Sequence, residues 1–285
     1  MSASNWLPGT SLRLSRLFND KYGRSVIVAM DHGFGGAHPG LENPGETIKR
    51  LLSAEPDGII VTPGTARKFQ SAFAGKLAPA MIVSIDYVLF HPFPGSKDII
   101  EEQGVVSSVE EALRLGADAI KVLMIFGRSD PSMQARNFDM IGRFADHCHQ
   151  WGMPIIIEPT TWGHKFTQDE KKNVNVLRDM ARVAFEFGAD IVKSDFPDDP
   201  NEFQEIVNSC PVPVTVLGGA KTSDTESLLR AVVKLTEHGA AGVTFGRNVW
   251  QHADPERFIR CLKHCVYEMD LVSALAEIND PEVIK

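Results

Sequence analysis

Eight times along the chain a short, nearly unbroken apolar run gives way to an amphipathic segment of helical period. This repeat constrains the fold more than any single motif. The runs are SVIVAMDHG (25–33), DGIIVTPG (57–64), AMIVSIDY (80–87), AIKVLMIFG (119–127), PIIIEPTTWG (154–163), DIVKSDFP (190–197), PVTVLGGA (213–220) and AGVTFG (241–246). Continuous apolar runs without strict alternation are expected of parallel strands covered on both faces. The segments between them, among them EEALRLG, VLRDMARVAFEFG and SLLRAVVKLTEHG, end in Gly before the next strand, a common helix stop. Ser223 and Glu226 have the spacing of a capping box. Eight such units predict an α/β chain folded as one (β/α)8 TIM barrel. With no linker or composition break in 285 residues, the domain spans 1–285, with an N-terminal extension over about 1–24 and a C-terminal helical tail over about 268–285. A doubly wound open sheet is the alternative, but its Gly-x-Gly-x-x-Gly turn is absent after the first strand.

Composition narrows the function classes. At 43% hydrophobic and 23% charged residues the chain can bury a core and is not disordered. A formal net charge of -8 argues against nucleic acid or an anionic membrane as partner, though not against a small anion met by local donors. The longest apolar runs, about six residues, are too short to span a membrane. The opening MSASNWLPGT lacks the charged and apolar regions of a signal peptide. Cys148, Cys210, Cys261 and Cys265 are widely spaced or on predicted helices, which suggests reduced thiols in a cytoplasmic protein. Cys261 and Cys265 near His264 read as helix packing, and His147 and His149 point apart, so no metal site is expected.

The repeat makes two lysines conspicuous. GADAIK (116–121) and GADIVK (188–193) match in register and place Lys121 and Lys193 at the same point, where GAAGVT (239–244) places Thr244. These lie on the fourth, sixth and eighth strands, and alternate barrel strands supply one interior layer. The three side chains are therefore expected as neighbours near the C-terminal mouth, where active sites of this fold lie. A free lysine has a pKa of about 10.4, so roughly one in a thousand is neutral at pH 7. Desolvation and a second cation both favour the neutral amine, which can attack a ketone and form an imine that serves as an electron sink. Asp31, Asp86 and Glu158 close the first, third and fifth strands, within reach of such chemistry. The seventh and eighth strands end in LGGAKTSD and FGRNVW, so Gly218, Gly219, Lys221, Gly246 and Arg247 are candidates for a phosphate site.

The motifs MDHG, ADIVK, GGAK and GRNVWQ, in this order along nearly the whole chain, resemble the class I (Schiff-base) aldolases of the DeoC/archaeal-type fructose-bisphosphate aldolase superfamily. The resemblance implies Lys193 as the Schiff-base lysine, Asp31 as an active-site acid, and Gly218, Gly219, Gly246 and Arg247 around a substrate phosphate. Archaeal-type fructose-bisphosphate aldolases and aminodideoxyheptulosonate synthases carry Tyr-Pro-Arg-Gly after the fifth strand, whereas this chain has EPTTWG. Lys121 and Glu158 instead resemble tagatose-bisphosphate and sulfofructose-phosphate aldolases, where the glutamate handles protons and the lysine contacts substrate. The expected activity is cleavage or formation of a phosphorylated ketose with a donor like dihydroxyacetone phosphate, an aldehyde partner and no cofactor. In it Lys121 helps keep Lys193 neutral, and Trp162 and His164 shape the aldehyde side. Resembling enzymes are often homo-oligomers. The alternatives are an autoinducer-type thiolase, an aminodideoxyheptulosonate-synthase-like transaldolase, a metal-dependent lyase or isomerase without an imine, and a non-catalytic phosphosugar sensor.

Overall fold

The computed structural model describes residues 7–89 and 102–279. The first six residues of the N-terminal extension and residues 280–285 of the expected tail lie outside them. The strands of the described residues are β1 (Ser25–Ala29), β2 (Gly58–Val61), β3 (Ala80–Ser84), β4 (Asp86–Leu89), β5 (Glu102–Val105), β6 (Ala119–Ile125), β7 (Ile155–Thr160), β8 (Ile191–Ser194), β9 (Val214–Leu217) and β10 (Gly242–Phe245), and all but β5 arise from the apolar runs. All but β4 and β5 close into a parallel barrel in the order β1-β2-β3-β6-β7-β8-β9-β10. The chain is a (β/α)8 TIM barrel, as the repeat predicts.

The repeated aspartate of the strand units has a structural role. Asp118 Oδ2 accepts from the Met81 amide of β3 at 3.0 Å, and Asp190 Oδ2 from the Ile155 amide of β7 at 3.0 Å. Asp57 Oδ2 does the same for Val26 of β1 at 2.6 Å. Each carboxylate precedes its own strand and ties it to the start of the preceding barrel strand. Register is thereby fixed, and with it the height at which Lys121 and Lys193 enter the barrel.

Side chains two apart share a strand face. Along the inner faces Ile27, Ala119, Ile156 and Ile191 form a lower apolar layer with Leu14, Leu17 and Phe18. The last three come from the helix Pro8–Leu17 and its end, so the N-terminal extension plugs the bottom of the barrel. One pleat higher on β6, β7 and β8 stand Lys121, Glu158 and Lys193. A larger core lies between the outer strand faces and the helices.

Two local expectations shift. The run AMIVSIDY does not continue as one strand: β3 ends at Ser84, and Asp86–Leu89 leaves the barrel to pair antiparallel with Glu102–Val105. Apolar periodicity runs unbroken through Ile85, and the pairing partner lies too far along the chain for local pattern to reveal. The helix Thr225–Glu237 is capped by Asp224, whose carboxylate accepts from Ser227 N–H at 2.9 Å, one residue later than the Ser223 capping box. Thr222 and Asp224 are engaged in the preceding turn, where Asp224 N–H donates to Thr222 Oγ1. Among the described residues no helix is long and apolar enough to cross a membrane.

Candidate active site

The upper barrel layer forms the floor of a cavity of about 860 Å³ at the C-terminal mouth. Asp31, Lys121, Glu158, Lys193 and Thr244 all line it. Glu158 Oε2 lies 2.8 Å from Lys121 Nζ and 3.0 Å from Lys193 Nζ, and Lys121 Nζ donates to Asp31 Oδ2 at 3.1 Å. The two Glu158 contacts are ion pairs by distance, with angles outside hydrogen-bond geometry. Lys121, Glu158 and Lys193 are all at least 94% buried, being 3%, 4% and 6% exposed. Thr244 Oγ1 turns to its neighbour and donates to Thr215 Oγ1 at 3.0 Å.

Burying charges is costly unless they are paired, and here the pairing wins. Burial pushes Asp31 and Glu158 up, but the Lys121 and Lys193 ammoniums outweigh it and hold both carboxyls below their usual range. Burial pulls Lys121 down, and the opposing pull of Asp31, Glu158 and Asp86 carries it well above the ordinary lysine value. Lys121 is thus a fixed ammonium at neutral pH. His32 follows Asp31 and lines the same cavity, its Nδ1 3.8 Å from Asp31 Oδ1. Burial pushes this imidazole down to about 4, opposed by Asp31 and aided by Lys193 and Arg247.

At one end of the cavity the turns after β9 and β10 come together. Gly218, Gly219, Gly246 and Arg247 line it, with Arg247 exposed, whereas Lys221 is exposed and not among the lining residues. Asn248, 2% exposed, fastens the turns: its Nδ2 donates to Gly218 O at 2.7 Å and Ala220 O at 3.0 Å, and its Oδ1 accepts from Thr222 N–H at 2.9 Å. A Cβ at Gly246 would stand 2.8 Å from the His32 ring and 3.0 Å from Ala29 O, so only glycine allows the turn to close over β1.

The opposite wall is made by the loops after β6 and β7. Gly163 N–H donates to Phe126 O at 3.1 Å and Lys165 N–H to Gly127 O at 2.9 Å, which zips the loops together. The approach is close enough that a Cβ at Gly163 would fall 2.1 Å from the Gly127 carbonyl carbon. Trp162 and His164 line this wall, as does the buried Arg128.

A model of the "DeoC/LacD family aldolase" matches residues 25–252. The chain belongs to the DeoC/LacD aldolase family. This aldolase is 30% identical to an uncharacterized aldolase of Saccharolobus solfataricus over 264 residues, 91% of this chain and 95% of that one. It is 31% identical to 2-amino-3,7-dideoxy-D-threo-hept-6-ulosonate synthase 1 of Archaeoglobus fulgidus over 263 residues, 92% of each chain. Its fold matches an archaeal fructose-1,6-bisphosphate aldolase with the catalytic Lys covalently bound to the carbinolamine intermediate of its substrate. That match has a TM-score of 0.76 at 26% identity and covers 90% of this chain and 99% of the other.

The DeoC/LacD aldolase cavity therefore gathers Lys193, Lys121, Glu158, Asp31, Gly218, Gly219, Gly246 and Arg247, and leaves Lys221 outside its lining. The sequence reading did not single out His32, Asn248 or Arg128 as site residues. MDHG and GRNVW do display His32 and Asn248. Nothing in the local pattern around Arg128 marks it as buried.

Proposed function

We propose that this aldolase cleaves and forms a phosphorylated ketose through a Schiff base on Lys193. The observation that carries the reading is the buried contact of Lys193 Nζ with Glu158 Oε2 at 3.0 Å, on the cavity floor and beside a fixed Lys121 ammonium. The solved relative whose catalytic lysine carries a carbinolamine supports the same chemistry.

In this mechanism Lys193 gives one proton to Glu158 and its Nζ attacks the ketose carbonyl carbon, a second proton passing from the nitrogen to the carbonyl oxygen to form a carbinolamine. Glu158 returns its proton to the carbinolamine hydroxyl, which Asp31 orients and which leaves as water, so that the iminium and an ionised Glu158 remain. Glu158 then accepts the proton of the hydroxyl on the carbon beyond the bond to be broken. The C–C electrons move to the iminium, the aldehyde leaves and an enamine remains. Protonation of the enamine carbon and addition of water to the imine release the dihydroxyacetone-phosphate-like product and restore Lys193. No cofactor is needed, because the electron sink is the imine itself.

Lys121 is not assigned the task of a neutral amine. Its charge holds Asp31 and Glu158 ionised, so Glu158 is ready to accept a proton. Gly218, Gly219, Gly246 and Arg247 are assigned to the phosphate, since two turns with close backbone and a rim guanidinium suit an anion.

The test is borohydride reduction with dihydroxyacetone phosphate, peptide mapping and a Lys193→Ala control. A reduced adduct on Lys193, absent from the variant, is the expected result. An adduct on Lys121 reverses the two lysines, and turnover with no trapped imine overturns the mechanism. The synthase relative favours a second reading, transaldol transfer through the same imine, which differs in the acceptor that consumes the enamine.

A further inference from the structure

The row of side chains above the cavity floor carries two polar groups that the proposed mechanism does not use. Glu158 and Lys193 make their contact from the neighbouring strands β7 and β8. Thr160 closes β7 two residues after Glu158, and Asp195 follows the end of β8 two residues after Lys193. Both line the cavity. Side chains two apart share a strand face, and two residues of parallel strand rise about 6.6 Å. The register of β7 and β8 sets Ile156 opposite Ile191 and Ile157 opposite Val192. Carried upward, it sets Glu158 beside Lys193, and then Thr160 beside Asp195 one pleat nearer the mouth.

Thr160 is 4% exposed, and its Oγ1 is buried with no hydrogen-bond partner among the described residues. Such an atom is rare in a folded protein and marks a position that a ligand can satisfy. Asp195 is half-buried, and its Oδ1 accepts from Phe196 N–H at 2.9 Å, which fixes the carboxylate and leaves Oδ2 for the cavity. Ser194 Oγ donates to Asp195 O at 2.8 Å and holds the backbone of the same turn. Burial pushes the Asp195 carboxyl up, opposed by Phe196 N–H and Lys172 and aided by Glu158 and Asp198. One ligand group matches both side chains at once: a hydroxyl donates to the carboxylate and accepts from the threonine O–H. An anion in that place would meet the carboxylate's charge.

We infer that Asp195 and Thr160 are specificity-determining residues that read the next hydroxyl beyond the one Glu158 deprotonates. A ketose joined to Lys193 through carbon 2 gives the hydroxyl of carbon 4 to Glu158. A chain that rises from there toward the mouth brings the hydroxyl of carbon 5 to the height of Thr160 and Asp195. The pair therefore selects acceptors that are hydroxylated beside the aldehyde carbon. The inference rests on the proposed ketose-phosphate reading for the identity of that hydroxyl, but its test needs no turnover.

The experiment is calorimetric binding of two non-cleavable ligands, D-mannitol 1-phosphate and its 5-deoxy analogue, which differ only in the hydroxyl assigned to the pair. The wild-type protein is expected to bind mannitol 1-phosphate about 10-fold or more tightly, the size of a hydrogen bond to a charged group. Asp195→Ala brings the ratio of the two affinities to within about threefold of unity. Thr160→Val narrows the ratio in the same direction and serves if the Asp195 variant does not fold. Because Thr160 Oγ1 has no hydrogen bond to lose among the described residues, this variant is expected to keep or raise the urea midpoint, unlike the loss of a structural hydroxyl. Wild-type protein that binds both ligands equally, or folded variants that keep the full preference, overturns the assignment. Wild-type protein that binds neither overturns it together with the ketose-phosphate reading. Borohydride trapping on the wild type reads the imine separately. A preference without a trapped imine sinks the Schiff base and leaves the pair, while trapping without the preference does the reverse.

Discussion

Glu158 Oε2 stands 2.8 Å from Lys121 Nζ, and the same oxygen lies 3.0 Å from Lys193 Nζ. One buried carboxylate therefore serves two amines of different duty, one a fixed charge and the other the proposed nucleophile. Glu158→Gln keeps the shape and removes the charge. Aldol cleavage is expected to fall by about 10²–10⁴-fold, the usual worth of a positioned acid–base group. Stability falls by about 3–5 kcal/mol, because buried ammoniums lose their counter-charge. Steady-state kinetics and urea unfolding read both, and an active, undiminished Glu158→Gln variant would remove Glu158 from the mechanism.

Lys121 and Asp31 are coupled through their 3.1 Å contact. Lys121→Met and Asp31→Asn should each destabilise by about 3 kcal/mol, while the double variant loses less than the sum. A double-mutant cycle by denaturant titration measures this. Additive losses would mean that the two side chains do not hold one another's charge.

His32 supplies a pH test. Its folded-state value is pushed down to about 4 from 6.5, so the unfolded chain takes up a proton in this window and the fold does not. That linkage lowers stability as pH falls from about 6.5 to about 4, and leaves no further pH dependence below it. His32→Asn should therefore lose less stability than wild type between pH 7 and pH 4.5. Urea midpoints at several pH values give the comparison, and parallel curves would contradict it.

Asn248→Ala breaks three hydrogen bonds between the β9 and β10 turns. The buried groups left unsatisfied cost about 1–3 kcal/mol. If these turns hold the donor phosphate, KM for a phosphorylated donor rises roughly 10-fold while kcat changes by less than about threefold. A change confined to kcat would place the phosphate elsewhere.

Gly163→Ala tests the wall that carries Arg128. The added methyl cannot coexist with the Gly127 carbonyl carbon 2.1 Å away, so the loops must part. Amide exchange at Gly163 and Lys165, which donate across the seam, should speed up by about 10-fold or more. Unchanged protection there would show that the seam is looser than its geometry.

The barrel was legible in the sequence because a parallel strand buried on both faces must be apolar along its length, and eight such runs leave few architectures. Lys121 and Lys193 were legible because the repeat superimposes them, and the Asp118 and Asp190 latches make that superposition physical. The β4–β5 hairpin was not legible, since its two strands are a dozen residues apart in sequence and local periodicity carries no pairing partner. The N-terminal plug was likewise hidden: an amphipathic helix does not say which surface its apolar side will cover.

The sequence by itself determined the fold class, the family resemblance and the residue types on the inner strand faces, because those depend on periodicity and on motifs a few residues long. Only the tertiary structure decided that Glu158 is shared by two lysines, that Lys121 is a permanent cation, that Lys221 lies off the cavity lining and that Gln103 spans Arg128 and Asp86. Charge states and hydrogen-bond partners are set by distance and burial between strands far apart in the chain, and no one-dimensional pattern contains those distances.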